Sequence, residues 1–359
     1  MSDDPTQGHS FRRGQQPWMT EDDGDLPYVH PIVVASDQVT AAMMALDRHP
    51  DTFARWPYPE LDAMTGPMAP GNVWFICAAS GGGKTTFVAS TIDRWRIAGK
   101  KVYVMPLETR PHEFRTYLAC MAAGIHPGDV LSGEFARHPN YRAQREVLKS
   151  EFLAQTKSPY VDCVYVSENR AINLAGLRDG LKEAKAFGAD VVIVDHIDHI
   201  AGGEGTNLYS EAKAVNDGAL RMAQDNDLLL VFTSQLNMSA SKGDYLTKYL
   251  PPKTEHILFG SLKQRNATGM IGLFRPIRKQ RPDETEDDYV KQLRAARSGS
   301  GQITDALEPN TMGVIAMKLR NYGSREGAKS YLRVEHGRVS ELDEKDRYTT
   351  GSGYVRKVM

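Results

Sequence analysis

Val73-Trp74-Phe75-Ile76-Cys77-Ala78-Ala79-Ser80-Gly81-Gly82-Gly83-Lys84-Thr85 passes from an apolar run through a glycine turn into the start of a helix. Three successive glycines let backbone N–H groups point inward and cradle phosphate oxygens at a helix N-terminus. Lys84 supplies the cation for the β- and γ-phosphates, and the Thr85 hydroxyl is placed to ligate Mg²⁺. The expected cradle is Ala79, Ser80, Gly81, Gly82, Gly83, Lys84, Thr85 and Thr86, with ATP and Mg²⁺ as its cofactors. Ala78 stands at the first position, where the general pattern has glycine, and is small enough for the tight turn. A glycine turn with a merely structural role is the competing reading. The strand before it and the helix after it are the context that phosphate binding requires.

Outward from this stretch the pattern alternates between strand and helix. Strands are expected at 101–107, 163–166, 191–194, 228–233, 270–274, 313–317 and 330–334, besides 73–77. Helices are expected at 86–98, 114–123, 143–155 and 174–187. Val191-Val192-Ile193-Val194 and Leu228-Leu229-Leu230-Val231-Phe232 are uninterrupted apolar runs, which suit strands buried on both faces of a parallel sheet. Alternation of this kind predicts an α/β fold: a mostly parallel central sheet covered by helices on both faces.

Four further segments carry chemistry. Asp195 ends the run Val191-Val192-Ile193-Val194 and would bring a carboxylate to the ligand-binding edge of the sheet, where it can hold a metal's water shell. Glu108 follows another strand and could orient or deprotonate an attacking water. It could equally be a helix-capping or solvated residue before Pro111. Gln235, in Ser234-Gln235-Leu236-Asn237, is a neutral amide able to register a γ-phosphate and pass that on to the following loop. Lys318 and Arg320, in Lys318-Leu319-Arg320-Asn321, share a face of an extended segment and could reach one phosphate cluster. An exposed strand end is the alternative. In ring ATPases such cations often complete the site of an adjacent subunit.

Taken in order, these segments resemble the ATPase domain of the DnaB-type replicative helicases, within the RecA-like superfamily. The resemblance runs from about Tyr58 to Val339 and opens on Leu61-Asp62-Ala63-Met64-Thr65-Gly66. In that family Ala is common at the first loop position, so Ala78 fits. Pro106-Leu107-Glu108-Thr109 resembles the segment whose Glu is the catalytic base, Asp195 the Walker B acid, Ser234-Gln235-Leu236-Asn237 the sensor and Lys318-Leu319-Arg320-Asn321 the finger. The resemblance implies a hexameric ring translocating 5′→3′ on single-stranded DNA, with a primase or helicase loader as further partner. It also implies two channel loops, 202–208 and roughly 238–264, the second ending near Gly260-Ser261-Leu262. Lys242, Lys253, Gly260, Ser261, Lys263 and Arg265 are then the candidate DNA contacts. His196-Ile197-Asp198 departs from the Tyr-Leu-Gln usual after Walker B, and Arg265-Asn266-Ala267 replaces acids common after the second loop.

The rest of the chain sets bounds. Net charge is −1, with 41% hydrophobic and 25% charged residues, so any face for a polyanion must be local. One such stretch runs from His256 to Pro282, which holds no Asp or Glu. No apolar run approaches a membrane span and nothing resembles a signal peptide. Cys77, Cys120 and Cys163 are read as reduced thiols, and the expected compartment is the cytoplasm. Residues 1–36 are expected as a flexible arm and 37–57 as a linker helix and linker. The ATPase domain is placed at 58–340 with a surface insertion at 280–310, and a mobile tail at 341–359. The residues before the core leave no room for the family's helical collar, which suggests a minimal single-domain ring of the kind carried by mobile elements. Two other functions stay open on the sequence: a RecA-like recombinase or loader that binds single strands without unwinding, and an ATP-switched scaffold.

Overall fold

The computed structural model describes residues 39–40, 43, 52–137, 139–168, 173–199, 208–236, 251–257, 260–275, 285, 310–321 and 323–342. Most of the expected linker helix, the channel-loop residues 202–207 and 238–250, nearly all of the 280–310 insertion and the tail beyond Leu342 therefore lie outside the described residues. Val39, Thr40 and Met43 are helical, as their spacing predicts.

A nine-stranded sheet organises the unit that begins at Asp51. In chain order its strands are β1 (Val73–Ala78), β2 (Val102–Pro106), β3 (Val164–Val166), β4 (Val191–Asp195), β5 (Leu229–Gln235), β6 (Gly269–Phe274), β7 (Thr311–Leu319), β8 (Lys329–Glu335) and β9 (Arg338–Glu341). Across the sheet the order is β3-β2-β4-β5-β1-β6-β7-β8-β9. From β3 to β6 every pairing is parallel, and β7, β8 and β9 extend the sheet antiparallel. Each strand expected from the sequence forms, and β9 is added to them.

Alternation along the parallel strands sorts side chains into two cores. Trp74, Ile76, Val102, Val104, Val191, Ile193, Leu229 and Val231 face one way. They pack under α1 (Pro59–Thr65), α2 (Lys84–Ile97) and α3 (Pro111–Ala123) through Leu61, Phe87, Ile92, Phe114 and Leu118. Val73, Phe75, Tyr103, Val192, Val194, Leu230 and Phe232 face the other way. Those meet α7 (Leu174–Phe187) and α8 (Leu208–Asn226) through Leu177, Leu181, Val215, Ala219 and Met222. Between these, α4 (Pro127–Ser132), α5 (Tyr141–Ala154) and the single turn α6 (Tyr160–Cys163) link α3 to β3, and Phe135 and Leu148 close a small satellite core on Cys120. One more short helix, α9 (Gly260–Asn266), precedes β6.

Residues 52–57, expected as linker, join the domain instead. Ala54 pairs with Met68, and Trp56 is 2% exposed, stacked on Trp95 at 5.8 Å and edge-on to Trp74. An indole of this size gains more from burial than a short tether gains from freedom. The antiparallel edge has its own close approach at Gly313, where an added Cβ would lie 2.2 Å from the Phe274 ring. Gly313→Ala is expected to lower stability by about 1–3 kcal/mol through overpacking, which urea unfolding of the pair would measure.

Candidate active site

Parallel strands point their carboxyl ends the same way, and in α/β sheets ligands bind beyond that edge. Here Ala78 pairs with Gln235 across β1 and β5, and Pro106 pairs with Asp195 across β2 and β4. The glycine loop, Glu108, Asp195 and Gln235 thus leave the sheet at one edge.

The loop is shaped by what its glycines exclude. Gly83, the residue before α2, has φ 96°, a left-handed value that favours glycine. At Gly82 a Cβ would sit 2.9 Å from the Ala79 carbonyl oxygen and 3.1 Å from the Ala78 Cβ. The turn closes through the Gly82 N–H donating to the Ala79 carbonyl at 2.9 Å. Lys84 opens α2, is 9% exposed, and directs its ammonium back to the Ala78 carbonyl at 3.5 Å. Thr85 and Thr86 follow in the first turn, half-buried, where helix N–H groups lack intrahelical partners.

Asp195 is fully buried. One carboxylate oxygen accepts from the Thr233 hydroxyl at 2.5 Å, while Oδ2 has no hydrogen-bond partner among the described residues. Burial pushes this carboxyl above the usual carboxylate range, with the Thr233 hydroxyl opposing. A buried carboxylate with an orphaned oxygen is the setting that a divalent cation and its water relieve. Asp195 and Thr85 therefore fit Mg²⁺ as a donor set.

Glu108 is fixed through its backbone: its N–H and that of Leu107 both donate to the Asp195 carbonyl, at 3.0 and 2.6 Å. Its side chain stays half exposed, 3.3 Å from Nε2 of His196. The capping role open for Glu108 on sequence belongs to Glu113, whose carboxylate accepts from the Arg110 N–H at the start of α3. His196 in turn lies 3.4 Å from Asp198, and the Gln235 N–H donates to Asp198 at 2.8 Å.

Two expected groups stand elsewhere. Lys318 lies near the end of β7, opposite Met270, and Arg320 directly follows that strand, whose last residue, Leu319, pairs with Gly269, the first residue of β6. That is the opposite edge from the glycine loop, because Leu273 near the other end of β6 pairs with Ala78. Their cations rest on α9: the Lys318 ammonium donates to the Gln264 carbonyl and the Arg320 guanidinium to the Arg265 carbonyl, the latter at 3.1 Å. Among the candidate DNA contacts, Lys242 lies outside the described residues. Lys253 is exposed and 3.7 Å from Glu255, and Ser261 and Arg265 are exposed on α9. Gly260 begins that helix and is buried, so the end of the expected second loop is helical. Lys263 is corrected: at 1% exposure, with its ammonium on Asp198 and on the Ser234 hydroxyl, it has no surface to offer a phosphate. The i, i+3 spacing of Gly260 and Lys263 puts both on the inward face of a helix that the sequence reads as loop.

Sequence reasoning passed over Thr233 and Arg275. Thr233 immediately precedes the sensor segment, and its hydroxyl was legible only once β5 was placed beside β4. Arg275 directly follows β6, and its guanidinium would lie 3.1 Å from a Cβ at Gly83. Burial lowers its pKa, and no described carboxylate offsets that. A cation directly after a buried strand adjoining the loop strand was the available signal.

Several known proteins share this architecture. One solved ATPase domain aligns with a TM-score of 0.63 at 16% identity, covering 88% of this chain and 100% of that one. A DnaB-like replicative helicase, solved in a study of its interactions with primase, gives 0.60 at 15% identity, covering 90% of this chain and 69% of that one. A KaiC-like protein from Pyrococcus horikoshii gives 0.50 at 13% identity, over 81% of this chain and 99% of that one. These likenesses establish the fold. A comparison with curated protein sequences finds no match. The family model of the DnaB-like helicase C-terminal domain matches residues 56–247, just over half of the chain, and the chain belongs to that family, carrying a DnaB-type ATPase domain on a RecA-like core.

Proposed function

We propose that the protein is an ATP-driven DNA helicase that assembles as a ring, tracks single-stranded DNA and hydrolyses ATP between subunits. The observation that carries this reading is the separation of the two halves of the site. Within one chain the strand end that leads into the glycine loop and the segment Lys318–Arg320 lie toward opposite edges of the sheet, three strand steps apart along β6 for Lys318 and five for Arg320, roughly 10 and 17 Å. Finger cations held on α9, away from their own loop, suit a head-to-tail ring, in which each subunit offers a different surface to each neighbour.

In this reading the loop N–H groups and Lys84 hold the triphosphate, and Glu108 orients the attacking water and receives its proton. When bound, Mg²⁺ supplies positive charge at the β- and γ-oxygens, with Thr85 and Asp195 as its holders. Gln235 reports the γ-phosphate, Lys318 and Arg320 act on the neighbour's ATP, and Arg275 adds charge beside Gly83. Lys242, Lys253, Ser261 and Arg265 remain the proposed DNA-facing set; Lys263 does not. Primase or loader partners follow from the family and are part of the same proposal.

The deciding measurement is strand displacement on a forked duplex with ATP and Mg²⁺. Unwinding that requires hydrolysable ATP is expected. Brisk ATPase activity with stable single-strand binding and no displacement would instead favour the recombinase or loader reading.

A further inference from the structure

Asp198 and Lys263 form a buried polar knot that the ATPase reaction does not itself call for. The Lys263 ammonium is held by Asp198 and, at 2.7 Å, by the Ser234 hydroxyl. Asp198 uses its other oxygen on the Gln235 N–H at 2.8 Å and on the Ser234 hydroxyl at 3.1 Å. Against burial that would raise it, His196, Lys263 and the Gln235 N–H hold the Asp198 carboxyl well below the usual range. Buried ion pairs are weak contributors to stability, since apolar replacements of both partners are often neutral or better. What this pair does fix is geometry.

It fixes α9 against β5. Lys263 sits near the middle of that helix, and the next two residues present the carbonyls that receive Lys318 and Arg320. The end of α9 is anchored again, by the Asn266 amide donating to Asp217 of α8 at 2.6 Å. A continuous set of contacts therefore runs from Gln235 at the nucleotide edge, through Asp198 and Lys263, to the cations at the opposite edge.

We propose that Asp198 and Lys263 are positioning residues for the adjacent subunit's reaction: by pinning α9 to the sensor strand, they set where Lys318 and Arg320 stand. The inference rests on the ring reading above, in which those cations act in trans. It assigns the pair no contact with ATP or DNA. Its consequence is that the state of one nucleotide edge is linked, through α9, to the cations serving the next.

The test is the double variant Asp198→Asn/Lys263→Met, which removes both charges and keeps the shapes close. Lys263→Met alone is the second variant, since Asp198 keeps its bonds to Gln235 and Ser234. Nucleotide affinity is expected to hold within about twofold, while kcat falls by about 5–150-fold, the span of coupling between sites. Mixing either variant with Lys84→Ala protein should then restore turnover, because hybrid interfaces join an intact loop to correctly placed cations from the Lys84→Ala subunit. A kcat equal to wild type would overturn the proposal. So would a loss that mixing does not restore, provided that Arg320→Ala is restored in the parallel mixture, because the pair would then act only within its own site. Failure of the Arg320→Ala mixture itself would bring down the trans reading first, and this inference with it.

Discussion

Glu108→Gln is expected to bind ATP with near wild-type affinity and to hydrolyse it about 10²–10⁴-fold more slowly, the range for losing a positioned general base. The amide keeps the size of the carboxylate and leaves untouched the Glu108 N–H that donates to the Asp195 carbonyl, so the strand end stays in place. It cannot take a proton from water. In the proposed reading the triphosphate is gripped by the glycine loop and Lys84, which follow a different strand, β1, and affinity should therefore survive. Glu113→Gln is the matched control: that carboxylate caps α3, and its loss should cost some helix stability and leave turnover within about twofold. Single-turnover hydrolysis beside equilibrium binding of a fluorescent nucleotide separates the two effects. Equal turnover for Glu108→Gln and wild type would remove Glu108 from the chemistry.

The parallel part of the sheet was readable because runs such as Val73–Ala79, Val191–Val194 and Leu228–Phe232 are hydrophobic without interruption. Val191–Asp195 is buried at every position, and no helix-length pattern competes with five such residues. Asp195 and Glu108 could be placed at the carboxyl edge for the same reason: each is the first acid beyond a buried strand. The 208–226 helix went unread, although Val215, Ala219, Met222 and Ala223 line its buried face at helical spacing. The glycine-containing stretch before it, Gly202-Gly203-Glu204-Gly205, reads as a loop and hides where the helix begins. Lys263 shows the other limit. A lysine in a stretch with no acidic residues reads as exposed, and its partner, Asp198, is sixty-five positions earlier in the chain. Only the adjacency of β4 and β5 brings that partner near. Pairings across a sheet depend on strand order, and strand order is not written in local sequence.

The same dependence on topology gives Arg320→Ala its expected outcome. In isolation Lys318-Leu319-Arg320 could have been a pair of cations for the chain's own phosphates. The antiparallel register of β7 on β6 sets Lys318 opposite Met270 and Arg320 beside Thr268, toward the strand edge away from Lys84. A side chain of Arg length does not bridge a distance of roughly 17 Å. Arg320→Ala should therefore keep nucleotide affinity and ring assembly while losing turnover by about 10³-fold or more, the usual cost of an absent arginine finger. Lys84→Ala should lose turnover for the opposite reason: on this proposal it keeps the finger and lacks the grip. Mixed, the two inactive proteins should regain activity at interfaces that pair the Arg320→Ala subunit's loop with the Lys84→Ala subunit's finger, roughly a quarter of interfaces under random mixing in a head-to-tail ring. Regain of turnover that follows the mixing ratio would tie Arg320 to the neighbouring site. Two inactive proteins that co-assemble and stay inactive would mean that Arg320 serves its own subunit, and that β7 must leave β6 for it to do so.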